Sequence, residues 1–393
     1  MIYFIIFIFL FFLVLNFDFG VKKTSDNFWY KIAGLTLILV SGLRYKVGGD
    51  TLAYFDFFES YPSFSELKHY DFTTSRWDPM WVILSAISKS IYNDFTLFQI
   101  IHATFINLIV FKFVKNNTQY KFTAVLIYYL FFYIYFNTEI MRESLAVCFF
   151  LLAYPYYKSK SLVKYYLFTV VAFLFHSSAI ITLLFPVFRY VSFNKKGVFV
   201  LLGVFIVLNA ASYLIPSALN FLLISDRLSG RFDIYSELKV NWRGMLQIFI
   251  LYALFPYVVL YFNKNILKRT ELFKELYFLY FAIVTVVIVI SGFARVINYL
   301  APFMFVLYAD VIVSAIKRQI FMQHTNLVVF IIFIVSFVPK INYYRLDMSR
   351  FYAGTVKFNM YYPYSSVFFP EEYPFREILF REGQREGLEE KQQ

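Results

Sequence analysis

"YYLFTVVAFLFHSSAIITLLFPVF", residues 165–188, is apolar almost throughout and is interrupted at its middle by His176, Ser177 and Ser178. Lys158, Lys160 and Lys164 precede it, and Lys195 and Lys196 follow. Lys and Arg near membrane segments stay on the cytoplasmic side, so a single crossing would leave one of these clusters on the wrong face. Two crossings resolve the conflict. The run is therefore read as a helix rising to "FHSSA" and a second, tilted helix returning, with His176 near the outer face. Each half is short for a full span, at about 1.5 Å per residue against about 30 Å of hydrocarbon.

Composition agrees with a membrane reading of the whole chain. Of 393 residues, 60% are hydrophobic and 16% charged, with 53 Phe, 34 Tyr and a mean hydropathy of +0.61. Soluble domains carry about 25% charged residues. Apolar runs recur near 2–17, 29–43, 95–112, 121–137, 140–157, 165–188, 197–216, 244–262, 275–293, 296–316 and 325–339. Each must be helical, because lipid offers a bare backbone no hydrogen-bond partner. The expected fold is all-α and polytopic, with about 11–14 transmembrane or re-entrant helices counted by span length. The first run has no basic residue before it and Lys22 and Lys23 after it, the reverse of a signal peptide's charge order, so it is expected to be a retained helix starting outside.

The net charge of +12 would suggest nucleic acid in a soluble protein. Here the basic residues cluster between apolar runs, Lys264, Lys268, Arg269 and Lys274 in one group and Lys317 and Arg318 in another, which makes them cytoplasmic anchors. No nucleic-acid partner is expected. Cys148 is the single cysteine, so no disulfide framework exists. There is no Asp-x-Asp pair, His cluster or cysteine set with metal-ligand spacing, no P-loop and no dinucleotide fingerprint, and no metal or cofactor is expected.

With this topology residues 137–143, 216–243, the turn around Arg295 and the tail after Lys340 fall outside. The loop 44–78 joins them if "MWVILSAISKSIY" dips into the membrane and returns; its 13 residues and its Ser85, Ser88, Lys89 and Ser90 favour that reading. The domain expectation is one membrane body over 1–340, with outer loops 44–78 and 217–243, and a polar extracytoplasmic tail over 341–393 in which Glu371, Glu372, Glu389 and Glu390 are solvated.

Arg44, Asp50, Arg142, His176 and Arg295 then gather near the outer ends of helices. An ionisable residue at membrane depth costs about 2.5 kcal/mol or more and is a functional candidate by default. Each has a structural explanation too. Arg142 has Glu139 three residues before it and Glu143 directly after, enough for an ion pair along one helix. Arg295 has no acidic residue close by in sequence. His176 can bond a backbone carbonyl at a helix break. Gly48 and Gly49 permit a turn with positive φ that frees backbone N–H groups, and Asp50 is placed to cap a helix starting at Thr51.

The ordered stretches "GLRYKVGGDTLAY", "EIMRESLA", "FHSSA", "GFARVINYLAPF" and "YYPYSSVF" resemble the EpsG/Wzy family of bacterial polysaccharide polymerases over most of the chain. Two positions depart from the family pattern: Glu143, where Gln is common, and the doubled glycine before Asp50. The resemblance implies a metal-independent glycosyltransferase, multi-pass in the bacterial cytoplasmic (inner) membrane. It would polymerise capsule, O-antigen or exopolysaccharide repeat units on the outer face, moving a glycan from undecaprenyl diphosphate to an acceptor sugar hydroxyl. On this reading Arg44, Arg142 and Arg295 hold the substrate diphosphate, His176 or Asp50 serves as the base, and Tyr54 and Tyr299 contact the acceptor glycan. The partners implied are the undecaprenyl-diphosphate-linked oligosaccharide, membrane lipid and a chain-length regulator protein. The rival reading is a flippase or exporter of lipid-linked saccharides, which should show two similar halves that this chain lacks. A membrane acyltransferase is supported only by the intramembrane position of His176.

Overall fold

The computed structural model describes residues 2–20, 24–73, 75, 77–190, 194–214, 242–254, 257–258, 274–289, 294–317, 360–372 and 376. The expected run 325–339, most of the loop 217–243 and most of the tail lie outside these residues. Among them the chain is all-α, with only the isolated antiparallel bridges Arg44–Ser366 and Ser366–Phe369. The polytopic α-helical class expected from the apolar runs is the one observed: Ile2–Phe19, Phe95–Asn117 and Arg295–Ser314 are each long and apolar enough to cross a membrane.

The chain forms two compact units, one of 1–117, 121–179 and 339–393, the other of 118–120 and 180–338. The first contains α1 (Ile2–Leu13, continued by a wider turn to Phe19), α2 (Asp26–Gly42), α3 (Gly49–Phe58), α4 (Pro79–Ile91), α5 (Phe95–Asn117), α6 (Lys121–Tyr128), α7 (Met141–Lys158) and α8 (Leu162–Phe175). The second contains α9 (Lys195–Leu214), α10 (Trp242–Phe249), α11 (Lys274–Val289) and α12 (Ala294–Lys317).

The first unit is apolar outside and polar at selected points inside. Phe4 and Phe12 on α1 are 65% and 60% exposed, as suits a helix facing lipid. Asn107 on α5 is fully buried; its Nδ2 donates to Asn137 Oδ1 at 3.1 Å, and Tyr128 of α6 donates to its Oδ1 at 3.1 Å. Asn137 in turn donates to Tyr133 O at 2.8 Å. Interhelical polar bonds of this kind join helices where lipid removes the hydrophobic drive for association. Between α6 and α7 the backbone widens into two π-helical turns, Tyr129–Tyr133 and Tyr135–Glu139, which end at Ile140.

α7 and α8 are joined by three residues and pack antiparallel, with Phe149 stacked on Phe175 at 5.2 Å and Tyr156 on Phe168 at 5.5 Å. α8 ends where "FHSSA" was expected to break it: His176 is extended (φ −159°, ψ 129°), and a tight 3-10 segment, Ser177–Tyr190, follows. The start of α7 and the end of α8 therefore share one end of the hairpin, with His176 roughly level with Cys148 and Arg142 about 9 Å further along α7. In the second unit Phe205 of α9 stacks on Phe249 of α10 at 4.4 Å, and Thr118 donates to Asp310 of α12 at 2.5 Å.

Candidate functional site

The loop after α2 is built on backbone that only certain residues adopt. Gly48 has φ +105° and is the N-cap of α3, which starts at Gly49. Asp50 lies in the first turn and does not cap a helix beginning at Thr51; the expected capping role passes to Gly48. The freed N–H groups are taken by another element: Gly49 N donates to Glu139 Oε1 at 2.7 Å and Asp50 N to Glu139 Oε2 at 3.2 Å. A carboxylate at a helix N-terminus satisfies orphan donors and meets the positive end of the helix dipole. A Cβ at Gly49 would lie 3.0 Å from Glu139 Oε2, and one at Gly48 would lie 2.6 Å from Thr138 Cβ. The two glycines admit the "TEIMR" segment to close contact.

Arg44 points into the protein and is 1% exposed. Its guanidinium donates to the Ser41 carbonyl, to Thr51 Oγ1 at 3.3 Å and to Met141 Sδ at 3.5 Å. Its own carbonyl receives Gln99 Nε2 at 3.2 Å, and His102 Nε2 lies 2.9 Å from the Met141 carbonyl beneath it. Arg44 thus braces the ends of α2, α3 and α7 against each other, with no surface left for a ligand in this structure.

The "YYPYSSVF" stretch returns to the same loop. Tyr45 N donates to Ser365 O at 2.9 Å, Val367 N to Leu43 O at 2.9 Å and Gly48 N to Met360 O at 2.8 Å. Arg376, 2% exposed, locks the strap with bonds to Lys46 O at 3.0 Å and Pro363 O at 2.8 Å. Glu372 is exposed and lies 3.4 Å from Lys46 Nζ. Sequence reading missed this strap, because two isolated bridges leave no periodic pattern to detect.

Arg142 opens α7 and is half-buried. The expected local partners are not the ones used: Glu139 holds the α3 amides, and the Arg142 guanidinium donates to Asp78 Oδ2 at 2.7 Å and to the Tyr54 hydroxyl at 3.4 Å. It also lies over the Trp77 ring, 4.9 Å from the centroid. Tyr54 packs on Trp81 at 4.9 Å, and Trp81 donates to the Tyr61 hydroxyl at 2.9 Å. Asp78 and Trp77 were missed; "WDP" reads only as an N-cap and a Pro opening α4.

Asp50 is exposed and stands one helical turn before Tyr54 on α3, so the two share a face about 5–6 Å apart at Cβ. His176 is 3% exposed; Ser178 N donates to its Nδ1 at 3.2 Å and Ser178 Oγ lies 2.7 Å from it. The first unit therefore brings together Arg44, Asp50, Tyr54 and Arg142, with His176 at the same end of the α7–α8 hairpin. Arg295, half-buried, and Tyr299, fully buried, lie in the second unit, four residues apart on the first turns of α12.

The chemistry of this end of the first unit is cationic and aromatic, with an exposed carboxylate one turn away: suited to an anionic group on one side and a hydroxyl on the other. Neither the curated proteins nor the solved structures contain a match to the chain. A family model does match, the one described as EpsG family, and it covers residues 27–366, from the start of α2 into the strap. The chain belongs to the EpsG family.

Proposed function

We propose that this protein polymerises lipid-linked oligosaccharide repeat units on the outer face of the bacterial cytoplasmic membrane, with undecaprenyl diphosphate as the carrier. EpsG family membership and the apolar helices support the coarser statement, a polysaccharide polymerase-type function in a membrane. The observation that supports the finer one is Arg142, a cation held in the first turn of α7 by Asp78, Tyr54 and Trp77 with part of its surface exposed.

In this reaction the acceptor hydroxyl oxygen bonds to the anomeric carbon of the donor. The bond from that carbon to the carrier's diphosphate oxygen breaks, and its electron pair leaves with the diphosphate. Charge develops on the leaving group, and a preorganised guanidinium stabilises it more strongly than water would. Arg142 has that role. Asp78 and Trp77 fix the plane of its fork, and 16% of the side chain stays exposed. The hydroxyl proton goes to a base. Asp50 is favoured over His176, because its carboxylate is exposed on the Tyr54 face of α3, whereas the His176 ring is buried against Ser178. Arg44 becomes a positioning residue that holds the α2–α3 loop. In the second unit Arg295 and Tyr299 offer the same pair of chemistries, a cation and an aromatic.

The test uses purified protein in liposomes with its own lipid-linked repeat unit. A ladder of longer glycans with release of carrier diphosphate is expected. Transfer of the intact unit across the bilayer with no longer product would establish the exporter reading instead.

A further inference from the structure

Beside the Arg142 cluster lies an open cleft of about 460 Å³, walled by Glu59, Tyr61, Glu66, His69, Tyr70 and Lys89. It sits between the end of α3, the short 3-10 turn Phe64–His69 and α4. Its volume is in the range of about 300–1,000 Å³ typical of small-molecule sites.

The charges of the wall do not play equal parts. Lys89 turns its ammonium to the protein, donating to Glu59 O and Tyr61 O at 2.8 Å each. Glu59 and Glu66 are exposed. Glu66 is oriented by Ser63, whose backbone N–H and hydroxyl both donate to Oε2 at 2.7 Å. Those bonds, the backbone one first, hold its carboxyl below the usual range, so it stays ionised near neutral pH. Ionised carboxylates accept hydrogen bonds and repel phosphate, so the open wall suits a ligand rich in hydroxyl donors.

The cleft is one indole away from the cation. Tyr61 meets the Trp77 ring edge-on at 5.6 Å, and Trp77 lies under the Arg142 guanidinium at 4.9 Å. An acidic recess and a basic centre are thereby set on either side of Trp77. They would sort a hydroxyl-bearing ligand from a phosphate-bearing one.

We propose that this cleft is the acceptor subsite and takes the sugars that follow the attacking non-reducing end of a hydroxyl-rich oligosaccharide, sugars that carry no negative charge. The assignment rests on the polymerase reading above and deepens it: donor diphosphate at Arg142, acceptor glycan at Glu59 and Glu66.

The experiment titrates nanodisc-embedded protein with the repeat-unit oligosaccharide cut from its own lipid carrier by mild acid, a probe without diphosphate. Binding is followed by intrinsic tryptophan fluorescence in a Trp29→Phe/Trp242→Phe background, which leaves Trp77 and Trp81 as the reporters, and polymerisation of the lipid-linked unit is measured on the same preparations. Wild type should show a saturable change. Glu59→Gln/Glu66→Gln should weaken it by about tenfold or more, the loss expected when charged acceptors become neutral ones. Gln at position 66 still completes the capping box with Ser63, so the turn survives. Arg142→Lys should bind the probe within about twofold of wild type, since a phosphate contact plays no part in it. Unchanged probe affinity in the double Gln variant of a polymerising preparation overturns the cleft and leaves the polymerase reading standing. A wild type that binds the probe but never extends its lipid-linked unit overturns the polymerase reading and leaves the cleft as a glycan site.

Discussion

Arg44 and Arg142 both stand at helix ends in the first unit, yet their guanidinium groups meet opposite fates. Arg44 is 1% exposed and spends its donors on a carbonyl, a hydroxyl and a thioether. Arg142 keeps 16% of its side chain exposed, paired with an Asp78 side chain that is 21% exposed, over an indole face. One cation is consumed by architecture; the other is oriented and left accessible. Residue type alone does not separate a brace from a ligand contact. What separates them is whether the side chain is sealed on every side or keeps part of its surface exposed.

The contrast breaks first at Arg44. Arg44→Ala removes a large buried side chain and leaves the Thr51 and Ser41 oxygens without their donor, which should cost about 2–5 kcal/mol. Thermal unfolding of the detergent-purified protein measures this, and a melting temperature equal to that of wild type would make Arg44 dispensable to the fold. Arg142→Lys should do the reverse. Folding should be nearly unchanged, while the loss of one charge-assisted contact, at about 2–4 kcal/mol in the transition state, slows polymerisation roughly 30- to 1,000-fold. Rates on gels at matched membrane level decide it; a wild-type rate would reduce Arg142 to a partner of Asp78.

The smallest effect expected is at the strap. Arg376→Ala deletes two bonds from a cation to backbone carbonyls, worth about 1–3 kcal/mol together. Hydrogen exchange should then accelerate at the amides of Tyr45, Gly48 and Val367, which donate across the strap. If those amides keep their protection, the strap is held by its backbone bonds and Arg376 adds nothing.

Legibility in the sequence follows the same division. The apolar runs located α2 (expected 29–43, observed Asp26–Gly42) and α7 (expected 140–157, observed Met141–Lys158) to within a few residues, but not α3, which lies in the stretch read as the loop 44–78. The polar "FHSSA" located the end of α8, and the paired glycines located a positive φ at Gly48. All of these are local properties. Lipid forces any long apolar run into a helix, a polar interruption weakens it, and only glycine readily enters that φ region.

Pairing was not local. Reading along the chain suggested Glu139 or Glu143 for Arg142, and of the two only Glu139, three residues before it, has helical spacing for the pair. The partner is Asp78, because the start of α4 is brought to the start of α7, and Glu139 is diverted to the α3 amides. The strap is a further case: its bonds to the α2–α3 loop are mostly backbone to backbone and leave no mark on side-chain pattern. The sequence by itself determined that this is an all-α membrane chain with cations near helix ends. Tertiary structure alone decided which cation is sealed and which is offered, since that depends on which helix ends become neighbours, and one-dimensional spacing does not encode it.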